Sequence, residues 1–399
     1  MTSSSSHAAS PAGPFFATRA QRIALARERF FEDGVRPSGL VSEAVIQSWS
    51  RCLGARMRPS EPIGFEMVTR ARAHSAITRS RALLQAADGE LAQLEAVLAG
   101  TGCRALLTDR DGVVVHVTRC ADADPHSALS VASRVGVDLG EARLGTNAPG
   151  LVARSGEAVT VLGAEHFFSS VTPFFCAAAP IRNVSGEVVG VLDVTREGEP
   201  FRFDAASLIA THAAGIENRL LIAQTRDAVL LRFSTVAPLL HTPYEGLAAI
   251  GADGHIAWVN AAGAALVGNA RQSPIGRCVE EVFGLDLGRV LALAGSPASP
   301  HRLPSGLGLW LESQPTGEAA PRRVAVTMGL PAPAPTAEPV AQAPEPERPA
   351  ASLHDANRVL IERTLAACGG NVSRAARQLG VSRGLLYRRL RQSFDANEA

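Results

Sequence analysis

The sequence predicts a multidomain α+β protein, and three observations support this prediction. Short aliphatic runs separated by turn residues are followed by a helical pattern between residues 103 and 226. A proline-rich segment, 331–351, is expected to be an extended spacer because such a composition cannot pack. Beyond it, two short amphipathic patterns meet at Gly380. With 399 residues, 46% of them hydrophobic, the chain is long enough for about two to three domains with packed cores.

The N-terminal region combines a polar start with a helical stretch. Residues 1–19 are rich in Ser and Ala, and this bias predicts a disordered N-terminus. Residues 20–98 show helical periodicity, with apolar anchors at Ile23, Leu25, Phe30, Val45, Ile46 and Trp49. We therefore expect a helical region before the first sheet.

Residues 99–228 are expected to form a domain built on a sheet. A turn sequence, Asp109-Arg110-Asp111-Gly112, separates the first two strand-like runs. The predicted strands are 105–107, 113–115, 158–162 and 188–194, and a helix at 204–226 closes the unit. A sheet flanked by helices in about 120–150 residues is an ordinary α+β domain.

A further unit is predicted at 232–330. Its opening pattern is a strand, an Asp253-Gly254 turn, a second strand and a helix that begins after Asn260. The predicted strands are 246–250, 255–260, 308–312 and 323–328, and the predicted helices are 261–267 and 279–283. The spacer 331–351, with seven prolines, then separates this unit from the C-terminal residues.

The C-terminal residues 352–399 predict an all-α unit of three helices. A supporting helix at 355–368 comes first. Asn371 and Ser382 can cap the two following helices, and Gly380 supplies the turn between them. Six arginines and no acidic residue occur between Asn371 and Gln392, a pattern that fits the phosphate backbone of duplex DNA.

This C-terminal segment resembles the Fis-type helix-turn-helix of bacterial enhancer-binding regulators over roughly residues 353–393. The resemblance implies that the start of the last helix enters the major groove, where an arginine can donate two hydrogen bonds to guanine. It assigns base contacts to Ser382, Arg383, Gly384 and Tyr387 and phosphate contacts to Asn371, Ser373, Arg388, Arg389 and Arg391. For Tyr387, contact with a base, contact with the backbone and simple packing all stay open.

Residues 40–225 resemble the GAF domain of acetoin-catabolism-type (AcoR-like) regulators. The motifs are Ser48-Trp49-Ser50-Arg51-Cys52, Leu144-Gly145-Thr146-Asn147-Ala148, Gly163-Ala164-Glu165-His166-Phe167, Ala179-Pro180-Ile181 and Gly190-Val191-Leu192-Asp193-Val194. The resemblance implies a GAF-like α/β sensor for a small molecule. Pro149-Gly150 departs from the family's usual Ile-Gly, which leaves the effector's identity open. The expected ligand-binding residues are Thr146, Asn147, His166, Phe167 and Phe174.

Each of these candidate residues also has a structural interpretation. The Gly145-Thr146-Asn147 motif suits a turn with a helix cap, and we favour that interpretation. His166 is either a surface partner of Glu165 or a pocket donor, and the phenylalanines are more typical of a core than of a ligand cage. No metal site is expected, because no ligand spacing connects Cys103, Cys120, Cys176, His116, His126 and His166.

The unit at 232–330 resembles a PAS-like α+β domain. Its strand, turn, strand and helix order carries the resemblance, and Ile275-Gly276-Arg277 before the next helix fits it. We interpret it as a dimerisation or signal-relay module. His255 is interpreted as structural rather than as a haem ligand, and no cofactor is expected.

The chain contains no lysine, so all 39 basic residues are arginine. A P-loop requires a lysine for the β and γ phosphates, which excludes such a loop from this sequence. The central ATPase module of the related sigma-54 regulators and its Gly-Ala-Phe-Thr-Gly-Ala loop are missing. The sequence thus predicts a regulator that does not hydrolyse ATP.

The function predicted from these features is a DNA-binding, ligand-responsive transcription regulator rather than an enzyme. The expected partners are double-stranded DNA, a small-molecule effector and a second copy of the chain, with RNA polymerase or a related ATPase-bearing regulator as further candidates. The absence of an apolar run of 18 residues or of a signal peptide, together with six scattered cysteines, predicts a cytoplasmic protein without a membrane partner. The alternatives are an accessory partner of a full-length sigma-54 activator and a GAF-fold thiol enzyme.

Overall fold

Two five-stranded antiparallel sheets organise the part of the chain that the structure describes. The structure is a computed structural model that describes residues 18–119, 127–268 and 272–316. The predicted strand at 323–328, the spacer 331–351 and the C-terminal unit 352–399 lie outside the described residues. Mixed helices and antiparallel sheets confirm the predicted α+β class.

The N-terminal helices lie within the region whose periodicity predicts helix. They are α1 (Arg19–Arg27), continued by a π-helical turn at Glu28–Glu32, α2 (Glu43–Gly54), α3 (Arg70–Arg79) and α4 (Arg81–Leu98). Thr18, Ser42 and Thr69 cap α1, α2 and α3, because each side chain accepts a hydrogen bond from a backbone N–H of the first turn. No helix among the described residues is both long and apolar enough to span a membrane.

The first sheet has the strand order β2-β1-β5-β4-β3. Its strands are β1 (Cys103–Asp109), β2 (Val114–Val117), β3 (Val159–Leu162), β4 (Phe174–Arg182) and β5 (Val188–Glu197). One face packs against α4 and α8 (Ala205–Gln224) through a core that includes Leu94, Leu107, Ile181, Leu192 and Ile216. The other face is covered by α2, α5 (Ala128–Ala132), α6 (Glu141–Leu144), α7 (Ala148–Ser155) and connecting loops.

Strand β4 is absent from the sequence-based prediction, although it pairs with both β3 and β5. Its sequence, Phe-Phe-Cys-Ala-Ala-Ala-Pro-Ile-Arg, is buried on both faces and therefore lacks the alternation of apolar and polar residues that marks a half-exposed strand. The remaining predicted strands of this sheet occur within a few residues of their expected bounds.

The second sheet has the strand order β8-β7-β6-β10-β9. Its strands are β6 (Val229–Ser234), β7 (Gly246–Ile250), β8 (Ile256–Val259), β9 (Ser299–Arg302) and β10 (Gly308–Pro315). Helices α9 (Ala261–Val267), α10 (Val279–Phe283) and α11 (Leu287–Ala292) accompany it, the first two with the predicted bounds. Strands β6 and β9 were not predicted, and the unit expected from residue 232 begins inside β6.

Helix α8 contacts both sheets. It packs on β4, while Leu221 lies in a cluster with Leu230, Leu247, Ala249 and Trp258 of the second sheet. The indole Nε1 of Trp258 donates to Thr225 Oγ1 at 3.1 Å, just beyond the end of this helix. One continuous helix therefore connects the two sheets.

Candidate functional site

A small, partly open cavity of about 40 Å³ lies between the first sheet and its covering loops. The floor is the sheet face formed by Leu106, Phe174, Cys176, Asp193 and Thr195. Because side chains alternate along a strand, residues two apart on β4 and on β5 face the same side. The covering side consists mostly of apolar side chains: Phe65, Leu129, Ala132, Leu139, Leu144, Pro149 and Val171, together with Asn147 and His166.

A connected group of polar side chains lies on one part of this cavity wall. Thr195 Oγ1 donates to Asp193 Oδ2 at 2.6 Å and lies 3.3 Å from Cys176 Sγ. Cys176 Sγ in turn lies 3.6 Å from His166 Nε2. All four residues are buried. Three strand residues and one loop residue thus form a connected polar group in an otherwise apolar wall.

Asp193 is the residue of this group with an unused oxygen. Its Oδ1 atom has no hydrogen-bond partner among the described residues, and the side chain lines the cavity. Burial raises the pKa of Asp193 to about 7, and the hydrogen bond from Thr195 lowers it in part. Since Oδ2 accepts from Thr195, the proton of the neutral form belongs on Oδ1.

His166 is neutral and has a defined tautomer. Its Nδ1 lies 2.9 Å from the carbonyl oxygen of Gly163, which can only accept, so Nδ1 carries the proton. Burial lowers the pKa of His166 to about 4. The other ring nitrogen, Nε2, is consequently an acceptor on the cavity side, near the Cys176 thiol.

Asn147 lines the cavity, but its side chain is hydrogen-bonded to nearby backbone groups. Its Oδ1 accepts from Gly150 N at 2.9 Å, and its Nδ2 donates to the Gly145 carbonyl at 2.9 Å. This geometry caps α7 and confirms the structural interpretation of the Gly145-Thr146-Asn147 motif. At Gly145, with φ of 60°, an added Cβ would lie 2.9 Å from the Cβ of Phe167, so only glycine fits there.

Two predicted ligand-binding residues, Thr146 and Phe167, do not line the cavity. Thr146 Oγ1 lies 2.7 Å from Ser48 Oγ on α2, and the Phe167 ring packs against Phe31 and Phe168. Asn147 and His166 have extended backbones, and adjacent side chains of an extended segment point in opposite directions. The structure therefore brings Asn147, His166 and Phe174 to the cavity and turns their two neighbours toward the N-terminal helices.

Three polar cavity residues were not among the predicted ligand contacts: Asp193, Thr195 and Cys176. In the sequence, Asp193 belongs to a family motif, and Cys176 lacks the spacing of a metal ligand. The available signal was a carboxylate in the middle of the apolar run Gly-Val-Leu-Asp-Val, a charged residue in a strand that pattern alone places in the core.

The N-terminal helices hold the loop that carries His166. Arg27 donates to the carbonyl oxygens of Ala164, His166 and Phe167 at 3.0, 2.6 and 3.2 Å. Its guanidinium carbon lies 4.8 Å from the ring centroid of Phe31. On α2, the Trp49 indole donates to the Glu165 carbonyl at 2.8 Å. These contacts connect the covering side of the cavity to a separate part of the chain.

The other predicted sites fall mostly beyond the structure. All nine residues assigned to DNA contacts, from Asn371 to Arg391, lie outside the described residues, as do Cys120 and His126. Within 18–119, 127–268 and 272–316, no group of three His, Cys, Asp or Glu side chains has a geometry that could hold a metal ion.

Comparison with known families yields two matches. Residues 16–216, half of the chain, match the model described as "MimR, N-terminal domain". Residues 352–392 match the model described as "Bacterial regulatory protein, Fis family".

Two curated relatives share part of this sequence. The chain is 29% identical over 210 residues to the acetoin dehydrogenase operon transcriptional activator AcoR of Bacillus subtilis, covering 51% of this chain and 33% of that protein. It is 31% identical over 201 residues to the acetoin catabolism regulatory protein of Cupriavidus necator, covering 48% of this chain and 30% of that protein. The chain therefore matches about a third of the length of these relatives.

Among solved structures, the crystal structure of the E. coli DhaR(N)-DhaL complex aligns with a TM-score of 0.41 and 17% identity. The alignment covers 69% of this chain and 100% of that chain.

Proposed function

The chain belongs to the family defined by the MimR N-terminal domain, and on this basis we propose that it is a bacterial transcription regulator that senses a small metabolite and binds DNA sequence-specifically as a dimer, without ATPase activity. The observation that carries the sensing part is the cavity lined by Asp193, one oxygen of which has no partner among the described residues. The DNA-binding part is supported by the Fis-family match at 352–392.

The effector is a small neutral or weakly polar molecule. The cavity walls are mainly aliphatic and aromatic, and no arginine is among the described residues that line them, so a phosphate or carboxylate has no counter-charge there. The two relatives described above are named for acetoin, a small neutral hydroxy-ketone, which agrees in size class and charge with this cavity. A nucleotide is too large and too highly charged for it.

DNA is recognised through the C-terminal unit. Arg383 reads a base edge together with Ser382, Gly384 and Tyr387, because arginine can form two hydrogen bonds with guanine. Asn371, Ser373, Arg388, Arg389 and Arg391 hold phosphates and contribute to affinity without sequence preference.

Dimerisation supplies the two half-sites that a single three-helix unit cannot cover. Two-fold dimers read half-sites about one helical turn apart. The predicted helix 355–368 has more apolar surface than one helix-turn-helix can bury, which supports its place at the interface. RNA polymerase or an ATPase-bearing regulator would then supply the step of activation that this chain, lacking a P-loop lysine, does not perform.

A thiol enzyme is the weaker alternative. Burial raises the pKa of the Cys176 thiol well above its ordinary value, with the nearby Asp193 adding to the rise. A thiol that stays protonated is a poor nucleophile. An accessory partner that does not read DNA remains distinguishable by experiment, because it would not bind an operator on its own.

The test uses the purified full chain on DNA from the region upstream of its own gene, in a footprint and in a competition assay with and without acetoin. We expect a protected palindromic site whose occupancy changes with acetoin. Arg383→Ala should lose about 1–3 kcal/mol of binding free energy and relax the preference for one guanine. Arg389→Ala, the matched control, should weaken binding to all sequences alike.

Two results would contradict the proposal. Equal sequence preference in the wild type and in Arg383→Ala would show that Arg383 is not the base reader. A monomer in light scattering, at a concentration where the DNA is fully bound, would contradict the proposed dimer.

A further inference from the structure

We propose that Asp193 is the polar anchor for the effector, and that the effector is a short aliphatic molecule in which a carbonyl oxygen meets Asp193 and a neighbouring hydroxyl meets His166. This inference rests on the proposed sensing function and assigns the chemistry of its ligand. The class it names is that of small hydroxy-ketones.

The position of Asp193 in the sheet makes it unusual. It lies near the middle of β5, opposite Leu106 on β1 and Ala178 on β4. The side chain is fully buried, yet only Oδ2 has a partner, the hydroxyl of Thr195. A buried polar atom without a partner is costly and rare in folded proteins. A ligand oxygen in the cavity would supply the partner that Oδ1 lacks.

The expected donor in this contact is the carboxyl group itself. Burial raises the pKa of Asp193 to about 7, so a large fraction is neutral near neutral pH. The neutral form carries its proton on Oδ1, since Oδ2 accepts from Thr195. A carbonyl oxygen accepts that proton in a hydrogen bond. A ligand carboxylate would instead meet an apolar wall and a second carboxyl group.

His166 provides the second point of recognition. Its Nδ1 is occupied by the Gly163 carbonyl, so Nε2 is available as an acceptor. In the structure its neighbour is the Cys176 thiol at 3.6 Å, which is a weak donor. A ligand hydroxyl is a stronger donor and would replace this contact. A ligand with one acceptor and one donor group thus matches the donor and the acceptor that Asp193 and His166 supply.

The cavity size limits the rest of the ligand. A volume of about 40 Å³ holds roughly three water molecules when about 10–15 Å³ is counted for each. The walls around the polar group are side chains such as Leu129, Leu139, Leu144 and Phe174. These suit methyl groups and leave little space for longer chains without movement of the covering loops.

The experiment measures binding of a matched series to the full-length protein by titration calorimetry. The series shares a short skeleton: acetoin with both oxygens, 2-butanone with the carbonyl only, 2-butanol with the hydroxyl only, and lactate with a carboxylate. For the wild type we expect the tightest binding with acetoin, weaker binding with 2-butanone and 2-butanol, and none with lactate. Tighter binding of lactate than of acetoin would overturn the proposal.

The variants separate the two polar groups. Asp193→Leu should lower acetoin affinity at least tenfold while the fold persists, because leucine fills a similar volume. His166→Leu should reduce affinity for acetoin and 2-butanol but leave 2-butanone unchanged. Glu217→Gln is the matched control, since Glu217 is a buried carboxyl with a raised pKa that does not line the cavity, and its affinity should equal that of the wild type.

Asp193→Asn tests the proton directly and does not depend on Asp193→Leu folding. In the wild type, affinity for 2-butanone should fall as pH rises through 7, by up to about tenfold for each pH unit beyond the pKa. Asp193→Asn should remove that dependence. The same pH profile in both proteins would overturn the anchor role.

The outcomes also separate this inference from the sensing function on which it rests. If acetoin changes DNA occupancy equally in the wild type and in Asp193→Leu, sensing stands and Asp193 is not the anchor. If the wild type binds none of the four molecules and its DNA occupancy responds to none, the sensing function itself is contradicted.

Discussion

The two sheets share strand number and antiparallel pairing but differ in the polar residues on their buried faces. In the first sheet, Asp193 faces a cavity with one oxygen unpartnered among the described residues. In the second sheet, buried Ser313 donates to the Val290 carbonyl at 2.7 Å, and the rings of Phe233 and Phe283 pack with centroids 5.1 Å apart. The buried face of the first sheet borders a cavity, and that of the second sheet packs against apolar side chains.

The two capping asparagines, Asn147 and Asn260, also differ between the two regions. Asn147 and Asn260 each cap a helix by accepting from the backbone N–H three residues on, at 2.9 and 2.8 Å. Asn260 also accepts from Leu247 N and donates to Asn218 Oδ1 and to the Glu245 carbonyl. The amide of Asn260 therefore ties α9 to the sheet and to α8, whereas that of Asn147 serves only its own turn. The several connections made by Asn260 suit a structural scaffold in the second region. The local hydrogen bonds of Asn147 suit a sensor in the first.

The largest expected effect comes from deleting the same side chain in both sheets. Leu311→Ala in the second sheet should lower the free energy of unfolding by about 3–5 kcal/mol, because leucine is surrounded by packed neighbours. Leu106→Ala should cost about 2 kcal/mol, since part of its surface already faces the cavity and loses fewer contacts. Urea denaturation of the full chain measures both. Equal losses would contradict the contrast between cavity and core, and exposed Ile275→Ala, expected near zero, is the control.

The next effect concerns pH and depends on two opposite shifts in the cavity. The pKa of Asp193 is raised from 3.8 to about 7, so its stabilisation is complete below pH 3.8 and is lost as pH rises through 7. The pKa of His166 is lowered from 6.5 to about 4, so its stabilisation is present above pH 6.5 and is lost as pH falls through 4. Between the folded-state pKa of His166, about 4, and that of Asp193, about 7, the two contributions to the unfolding free energy change in opposite directions with pH and partly offset each other.

Single variants should expose these slopes. Relative to the wild type, Asp193→Asn should gain about 4 kcal/mol of unfolding free energy between pH 4 and 7. His166→Gln should lose about 3 kcal/mol over the same interval. Denaturation curves at half-unit pH steps provide the measurement. Parallel pH profiles for all three proteins would show that neither group is shifted as described.

The two capping asparagines provide a smaller, matched test. Asn260→Ala should cost about 3 kcal/mol of unfolding free energy, because four groups lose a hydrogen bond. They are two backbone N–H groups, one backbone carbonyl and the side-chain oxygen of Asn218. Asn147→Ala should cost about 1–2 kcal/mol, the usual loss of a cap. Thermal and urea unfolding compare the two. A larger loss at Asn147 would reverse the assignment of scaffold and sensor.

An effect of similar size to that of Asn147→Ala is expected at the contact between α1 and the cavity loop. Arg27→Met keeps the aliphatic stem but removes three hydrogen bonds to carbonyl oxygens, and it should cost about 2 kcal/mol. It should also speed hydrogen exchange in the loop 163–168. Arg29→Met, an exposed position on the following turn, is the control and should stay within about 0.5 kcal/mol. Unchanged exchange in Arg27→Met would show that α1 does not hold the loop.

Local sequence patterns determined much of this protein. The family resemblance to AcoR-like regulators and to the Fis-type helix-turn-helix is confirmed by the matches at 16–216 and 352–392. The bounds of α9 and α10 and the cap at Asn147 follow from neighbouring residues alone. Such features depend on contacts within a few positions of the chain, and those contacts are encoded where they occur.

Tertiary structure decided the rest. Strands β4 and β6 are central in their sheets and covered on both faces, so burial removes the alternation by which a strand is recognised. The cavity joins His166 from a loop, Cys176 from β4 and Asp193 from β5, residues whose proximity depends on strand order. An aspartate in an apolar run is visible in the sequence. That this residue lines a cavity and leaves one oxygen without a partner among the described residues is a property of packing, because it depends on which distant side chains fill the space around it.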